Sequence, residues 1–126
     1  MSLCVLGLSH LLIIPAQAFS LAWTHSVEKT QWQESWQMKS GTLQIIESRV
    51  KGSGAGMEPP GDAKLHDGWW VYHPAIPPQK KLVLAVSGMT GEGWTLCTAS
   101  GCWTLDRNAG RPITLEVCSI VPPQGR

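Results

Sequence analysis

The residue whose surroundings most suggest chemistry is Glu34. It alternates with Trp32, Trp36 and Met38 along the stretch from Thr30 to Met38, so a strand here places all four side chains on one face. That face has the composition of a buried one. A buried carboxylate costs several kcal/mol unless it is paired or hydrogen-bonded. Glu34 therefore needs a partner.

The candidate partners of Glu34 are the side chains of His25, Lys29 and Arg49 and the indole N–H groups. Two interpretations stay open. Glu34 forms a structural ion pair inside the domain, or it is a ligand-recognition carboxylate with a perturbed pKa. A dispersed acid–base pair of His25 and Glu34 is the enzymatic alternative.

The segment around His25 contains the residue types of a Ser-His-Glu hydrolase. In a continuing strand, however, His25 points away from Ser26 and Glu28, so the three side chains cannot form a hydrogen-bonded triad. The chain also has no Gly-x-Ser-x-Gly elbow. We therefore expect no enzymatic activity and no catalytic residues.

A glycine-rich stretch, residues 51–61, cannot form a helix or a regular strand, because glycine and proline interrupt it. It lacks the Gly-Lys-Ser/Thr ending of a phosphate loop, but its bare amides can bind a carboxylate. We predict a ligand-binding or interaction surface that combines this loop with the polar groups above. Its members are His25, Glu28, Glu34, Arg49, Gly54, Gly56, Met57 and Glu58.

The four cysteines predict two disulfides. Cys97 and Cys102 flank a turn-like segment, and cross-strand neighbours lie within the distance that a disulfide bridges. Cys4 and Cys118 lie near the two ends of the chain, which are often close in space. We predict the pairs Cys97–Cys102 and Cys4–Cys118. No second close Cys or His pair completes a zinc site, so we expect no metal and no cofactor.

Size and charge narrow the class of protein. The chain of 126 residues fits a single domain, residues 1–126, and its net charge of +1 argues against a nucleic-acid partner. Seven tryptophans serve as core residues or line a binding face. Trp69 and Trp70 are the best candidates for a binding face, because adjacent strand residues point to opposite sides.

Short alternating runs separated by turn residues indicate an all-β fold. One of them places Phe19, Leu21 and Trp23 inward. Further β-prone runs cover residues 43–50, 69–73, 82–86, 94–97, 102–105 and 113–118. We predict a single-domain antiparallel sandwich or small barrel of roughly 8–10 short strands.

The first eighteen residues allow two interpretations. They form two short strands, Leu3–Leu6 and Leu11–Ile14, or they are a signal segment ending at the Ala16-Gln17-Ala18 sequence. No lysine or arginine precedes the apolar stretch, so we favour strands. The compartment stays open: periplasmic if the protein is exported, cytoplasmic if residues 1–18 are structural and the start is correct.

Several strings of residues resemble the bacterial domain-of-unknown-function family DUF1850. They are Phe19 to Thr30, Trp32 with Glu34 and Trp36, Gly52 to Pro60, Asp67 to Trp70, Ser87-Gly88, and Cys97 with Cys102. The resemblance implies a role beside tripartite ATP-independent (TRAP) transporters of the TAXI type, which pair a solute receptor with a membrane permease. It carries over no catalytic residues.

Two non-enzymatic functions follow as expectations. The first is a binding or accessory module that contacts a TRAP-type permease or its solute receptor. The second is a sensor that binds a small carboxylate ligand in a tryptophan-lined cleft.

Overall fold

The chain folds as a sandwich of two antiparallel sheets. The computed structural model describes residues 2–7, 11–24, 30–51, 63–84, 93–105 and 112–119. Eleven strands lie in these residues: β1 (Ser2–Leu6), β2 (Leu12–Pro15), β3 (Ala18–Thr24), β4 (Gln31–Lys39), β5 (Thr42–Lys51), β6 (Lys64–His66), β7 (Trp69–Tyr72), β8 (Lys81–Leu84), β9 (Trp94–Thr98), β10 (Gly101–Leu105) and β11 (Ile113–Cys118). The predicted all-β sandwich is confirmed.

The two sheets differ in size. The larger has the order β10-β9-β3-β4-β5-β7-β6, and the smaller has the order β2-β1-β11-β8. The core lies between them, because buried residues come from both: Leu3, Val5, Ile14, Ile113 and Leu115 from the four-stranded sheet, and Phe19, Leu21, Trp36, Leu43 and Leu96 from the seven-stranded sheet. Each sheet thus has one inner face and one outer face.

Strand β4 follows the predicted alternation. Trp36 and Met38 are buried and Glu34 is half-buried. The side chains that alternate with them are exposed: Gln31, Gln33, Ser35 and Gln37. Strand β3 pairs with β4 along its whole length, and Trp36 stacks on its direct cross-strand partner Phe19 with ring centroids 6.3 Å apart. Such aromatic pairs add stability beyond the area that they bury.

A β-bulge in β5 changes which side chains face the core. Ser35 pairs with Glu47 and Trp36 pairs with Ile45, so Ile46 is an extra residue with no partner on β4. His73 Nδ1 donates a hydrogen bond to the carbonyl oxygen of Ile46 at 2.8 Å, which satisfies a group that the sheet ladder leaves unpaired. The alternation of β5 therefore reverses at the bulge.

Strand β6 was not predicted. The sequence predicts roughly eight to ten strands, and the described residues contain eleven. Strand β6 forms a hairpin with β7 through Asp67 and Gly68, whose φ angles of 51° and 84° fit a type I′ turn. All three of its side chains are exposed. An edge strand this short shows no alternation that a sequence pattern can reveal.

The two N-terminal segments are strands, as favoured from the sequence. Leu3 and Val5 of β1 are fully buried, and β1 lies between β2 and β11. Cys4 bonds Cys118 across β1 and β11, and Cys97 bonds its direct partner Cys102 across β9 and β10. None of the described residues forms a helix of the length and apolarity that crossing a bilayer requires.

The two disulfides should contribute unequally to stability. In the chain-entropy account, a bridge spanning 114 residues stabilises by about 4–5 kcal/mol and one spanning 5 residues by about 2 kcal/mol. We expect Cys4→Ala/Cys118→Ala to lower the free energy of unfolding by about twice as much as the matched Cys97→Ala/Cys102→Ala variant. Urea denaturation of both double variants measures this. Equal losses, or the reverse order, contradict it.

Candidate binding sites on the seven-stranded sheet

Glu34 lies on the inner face of the seven-stranded sheet, as the sequence predicts. Its cross-strand partners are Leu21 on β3 and Ser48 on β5, which are 1% and 3% exposed. The indole Nε1 of Trp36 donates a hydrogen bond to Glu34 Oε1 at 3.1 Å. Burial raises the pKa of the Glu34 carboxyl above its ordinary value, and the hydrogen bond from Trp36 offsets part of that shift. Glu34 thus holds its proton more tightly than an exposed glutamate does.

Three tryptophans form a cluster next to Glu34 on the inner face. Trp23 stacks on its partner Trp32 with ring centroids 5.9 Å apart, and contacts Trp94 at 4.5 Å with the ring planes tilted by 45°. All three side chains are half-buried. Trp32 lies two residues before Glu34 on β4, so this indole cluster and the Glu34 carboxyl share one face. The arrangement suits a ligand with a flat or apolar body and a polar end.

Arg49 does not pair with Glu34, and that candidate partnership is wrong. Arg49 Nε bonds Glu47 Oε2 at 2.7 Å on the outer face, and Gln33 rather than Glu34 is its partner on β4. The bulge at Ile46 is the reason. Strict alternation from the buried Leu43 would point Glu47 and Arg49 inward, and the extra residue turns both outward.

Arg49 belongs instead to a group of basic and apolar side chains on the outer face of β5, β7 and β6. The register places them in two rows across the three strands. One row is Arg49, Val71 and Lys64, and the other is Lys51, Trp69 and His66. We call these six residues the cationic patch.

The cationic patch has an aromatic centre. Lys51 Nζ lies 5.6 Å from the centroid of the half-buried Trp69 ring, a cation–π contact worth about 0.5–1 kcal/mol at exposed sites. Glu47 balances the charge of Arg49, and Asp67 lies 3.5 Å from His66. Among the described residues, Lys51 and Lys64 form no ion pair, so their two positive charges make the net charge of the patch positive.

Sequence reasoning identified Arg49 and the Trp69-Trp70 pair but missed Lys51, Lys64 and His66. The signal that could have found them is Asp67-Gly68, a dipeptide typical of two-residue hairpins. Across such a turn, His66 faces Trp69 and Lys64 faces Val71. The lysines and the tryptophan then fall on one side.

A second feature of the outer face is a shallow depression of about 510 Å³ beside β3. The residues that line it include Ala18, Ser20, Ser35, Gln37 and Cys97. A neighbouring depression is bounded by Thr24, Gln31, Gln33 and Thr95 among others. The side chains that β3, β4 and β9 present here are uncharged.

The remaining predicted site residues lie outside the described residues. These are His25, Glu28, Gly54, Gly56, Met57 and Glu58. Their membership of one surface with Glu34 stays a prediction. In the described parts of the chain, no group of three or more His, Cys, Asp or Glu side chains is arranged to hold a metal ion.

Comparison with known proteins identifies the family. The family model described as Domain of unknown function (DUF1850) matches residues 19–105, more than two-thirds of the chain. The chain belongs to the DUF1850 family. Except for Ala18 at the start of β3, the matched span contains the whole seven-stranded sheet, so Glu34, the indole cluster and the cationic patch all lie within it. No curated protein and no solved structure matches the chain.

The raised pKa of Glu34 makes a test by pH possible. In the unfolded chain a glutamate has a pKa of about 4.3, so the folded state keeps the Glu34 proton to higher pH. The resulting stabilisation is present in full below that value and is lost as pH rises through the raised pKa.

Glu34→Gln imitates the protonated form and does not titrate. We therefore expect the difference in unfolding free energy, wild type minus Glu34→Gln, to fall as pH rises through this window. Urea denaturation of both proteins across a pH series from acid to neutral measures the difference. A difference that is constant or grows with pH rules out a carboxyl destabilised by burial.

Proposed function

We propose that this DUF1850 protein is a non-enzymatic accessory module of a TRAP-type solute uptake system, and that it docks a protein partner through the cationic patch. The observation that carries the docking part is the arrangement of Lys51, Lys64 and Arg49 around Trp69 on one outer face. Tryptophan and arginine are the residue types that dominate binding energy at protein interfaces.

The charge of the patch indicates the chemistry of the partner. Two lysines without a carboxylate partner in the described chain favour an acidic surface, which they attract and orient before contact. Trp69 then supplies buried area at low cost in side-chain entropy, because its ring is already half-buried and held by Lys51. We infer that the permease or the solute receptor presents such an acidic surface.

The disulfides support a location for this role. Disulfides persist in oxidising compartments and are rare where thiol systems keep cysteine reduced. The described cysteines are all bonded, in two bridges. We propose that the protein works on the periplasmic side, where a receptor and the outer surface of a permease are both accessible.

Charge reversal tests the docking proposal. We expect Lys51→Glu/Lys64→Glu to reduce co-purification with the TRAP permease or receptor in mild detergent by roughly tenfold or more, because it turns attraction to an acidic surface into repulsion. The matched control is Lys80→Glu/Lys81→Glu, which reverses the same number of charges at two exposed lysines just before and at the start of β8 in the other sheet. Raising the salt concentration should weaken the wild-type association and strengthen that of the reversed variant, because salt screens both the attraction and the repulsion.

Two results count against the proposal, in different ways. Association of the reversed variant at the wild-type level shows that the partner docks elsewhere on the protein. Absence of association for the wild type with both the permease and the receptor rejects the transporter role itself.

The inner face supports a second candidate function, a sensor for a small carboxylate ligand. Glu34 carries a carboxyl with a raised pKa beside Trp23, Trp32 and Trp94. A protonated carboxyl can donate a hydrogen bond to a ligand carboxylate, whereas an ionised one would repel it. An apolar ligand body would contact the indole rings.

Tryptophan fluorescence tests the sensor. We expect titration with dicarboxylates to change the emission of the wild type, because a bound ligand alters the surroundings of the indole cluster. Trp32→Phe should reduce this change. Glu34→Asp, with a shorter carboxyl, should weaken the apparent affinity by roughly tenfold if Glu34 contacts the ligand. A flat response across a broad set of mono- and dicarboxylates removes this function from consideration.

A further inference from the structure

The two disulfides lie in different surroundings. Cys4 is 2% exposed and Cys118 is half-buried, and their bridge joins β1 to β11 inside the four-stranded sheet. Cys102 is exposed and Cys97 is half-exposed, and their bridge joins β9 to β10, an edge strand of the seven-stranded sheet. Because Cys102 is exposed whereas Cys4 is buried, reagents in solution can reach Cys97–Cys102 more readily.

The depression beside β3 opens a route to one sulfur in particular. Thiol–disulfide exchange begins when a thiolate attacks one sulfur, in line with the bond that breaks. The bond from Cys97 to Cys102 bridges β9 and β10, so the in-line path to Cys97 runs over its β3 partner, Ser20. Ser20 is small, and it lines the same depression as Cys97.

Opening this bond leaves the surrounding sheet in place. Cys97 and Cys102 are direct partners in a hairpin whose turn also has a hydrogen bond from Ser100 N to Thr98 Oγ1 at 3.0 Å. Strand β9 is paired with β3 independently of the disulfide. A bridge that closes so few residues restrains the unfolded chain less than Cys4–Cys118 does, so its loss costs less stability.

We propose that Cys97–Cys102 is a thiol–disulfide exchange site that accepts a small thiol from the outer face. The thiolate of the small thiol attacks Cys97 Sγ, and a mixed disulfide forms there. The Cys97–Cys102 bond breaks, its electron pair leaves on Cys102 Sγ, and that thiolate takes a proton from solvent.

A second small thiol completes the reduction. Its thiolate attacks the small-molecule sulfur of the mixed disulfide, which releases an oxidised small-molecule disulfide and leaves Cys97 as a thiolate that is then protonated. The protein gains two electrons and two small thiols are oxidised. In the reverse direction the site takes up oxidising equivalents, and Cys102 resolves the mixed disulfide.

Glutathione is the probe for this site. The folded protein is incubated with reduced glutathione, quenched with acid, alkylated and mapped by mass spectrometry. We expect a glutathione adduct on Cys97 with Cys102 alkylated, formed at least about tenfold faster than any opening of Cys4–Cys118. An adduct confined to Cys102 overturns the assigned direction of attack. Opening of both bridges at the same rate overturns the site.

A variant of Ser20 tests whether the small thiol approaches Cys97 over β3. Ser20→Phe places a ring over the in-line path, and we expect it to slow adduct formation at Cys97 by about fivefold or more. Gln33→Phe, on the same face but paired with Ala22 and Arg49, is the matched control and should change the rate less than about twofold. Equal rates in both variants contradict approach over β3. The adduct map on the wild type decides the proposal if either variant fails to fold.

Discussion

The bulge at Ile46 is the constraint on which the two faces of the seven-stranded sheet depend. Side chains alternate strictly along a strand, so one extra residue reverses every position beyond it. In β5 this lets Leu43 face the core before the bulge and Ser48 and Val50 face it afterwards. The carbonyl that the bulge frees is bonded by His73, which lies just past β7. The sheet thus gains a second buried stretch without burying Glu47 and Arg49.

Because Glu34 and Arg49 lie on opposite faces of the sheet, their surroundings differ. On the inner face Glu34 has only the indole N–H of Trp36 as a described hydrogen-bond partner, and burial raises the pKa of its carboxyl. On the outer face Arg49 pairs with Glu47 near solvent, and exposed ion pairs of this kind contribute little stability. Their value lies in organising a surface. The same sheet therefore carries an acid held among indoles and a cationic patch that do not neutralise each other.

Sequence patterns predicted the parts of this fold that follow strict alternation. The inward set of β4, the strands of the N-terminal segment and both disulfide pairings are found where the residues indicate them. The outward position of Arg49 was not predictable by the same reasoning, because a bulge interrupts the alternation of side chains along the strand. The adjacent Ile45-Ile46 pair was its only local signal. The cationic patch was missed because it depends on the pairing of β5 with β7, two strands separated by residues 52–68 in the sequence.

Nuclear Overhauser contacts in isotopically labelled protein test the reversal at the bulge most directly. The account predicts that protons of Ser48 contact those of Glu34, and that protons of Arg49 contact those of Gln33 and Val71. Contacts between the Arg49 side chain and Glu34 or Trp36 would place the guanidinium in the core. That result would contradict the division of the sheet into an acidic, indole-lined inner face and a cationic outer one.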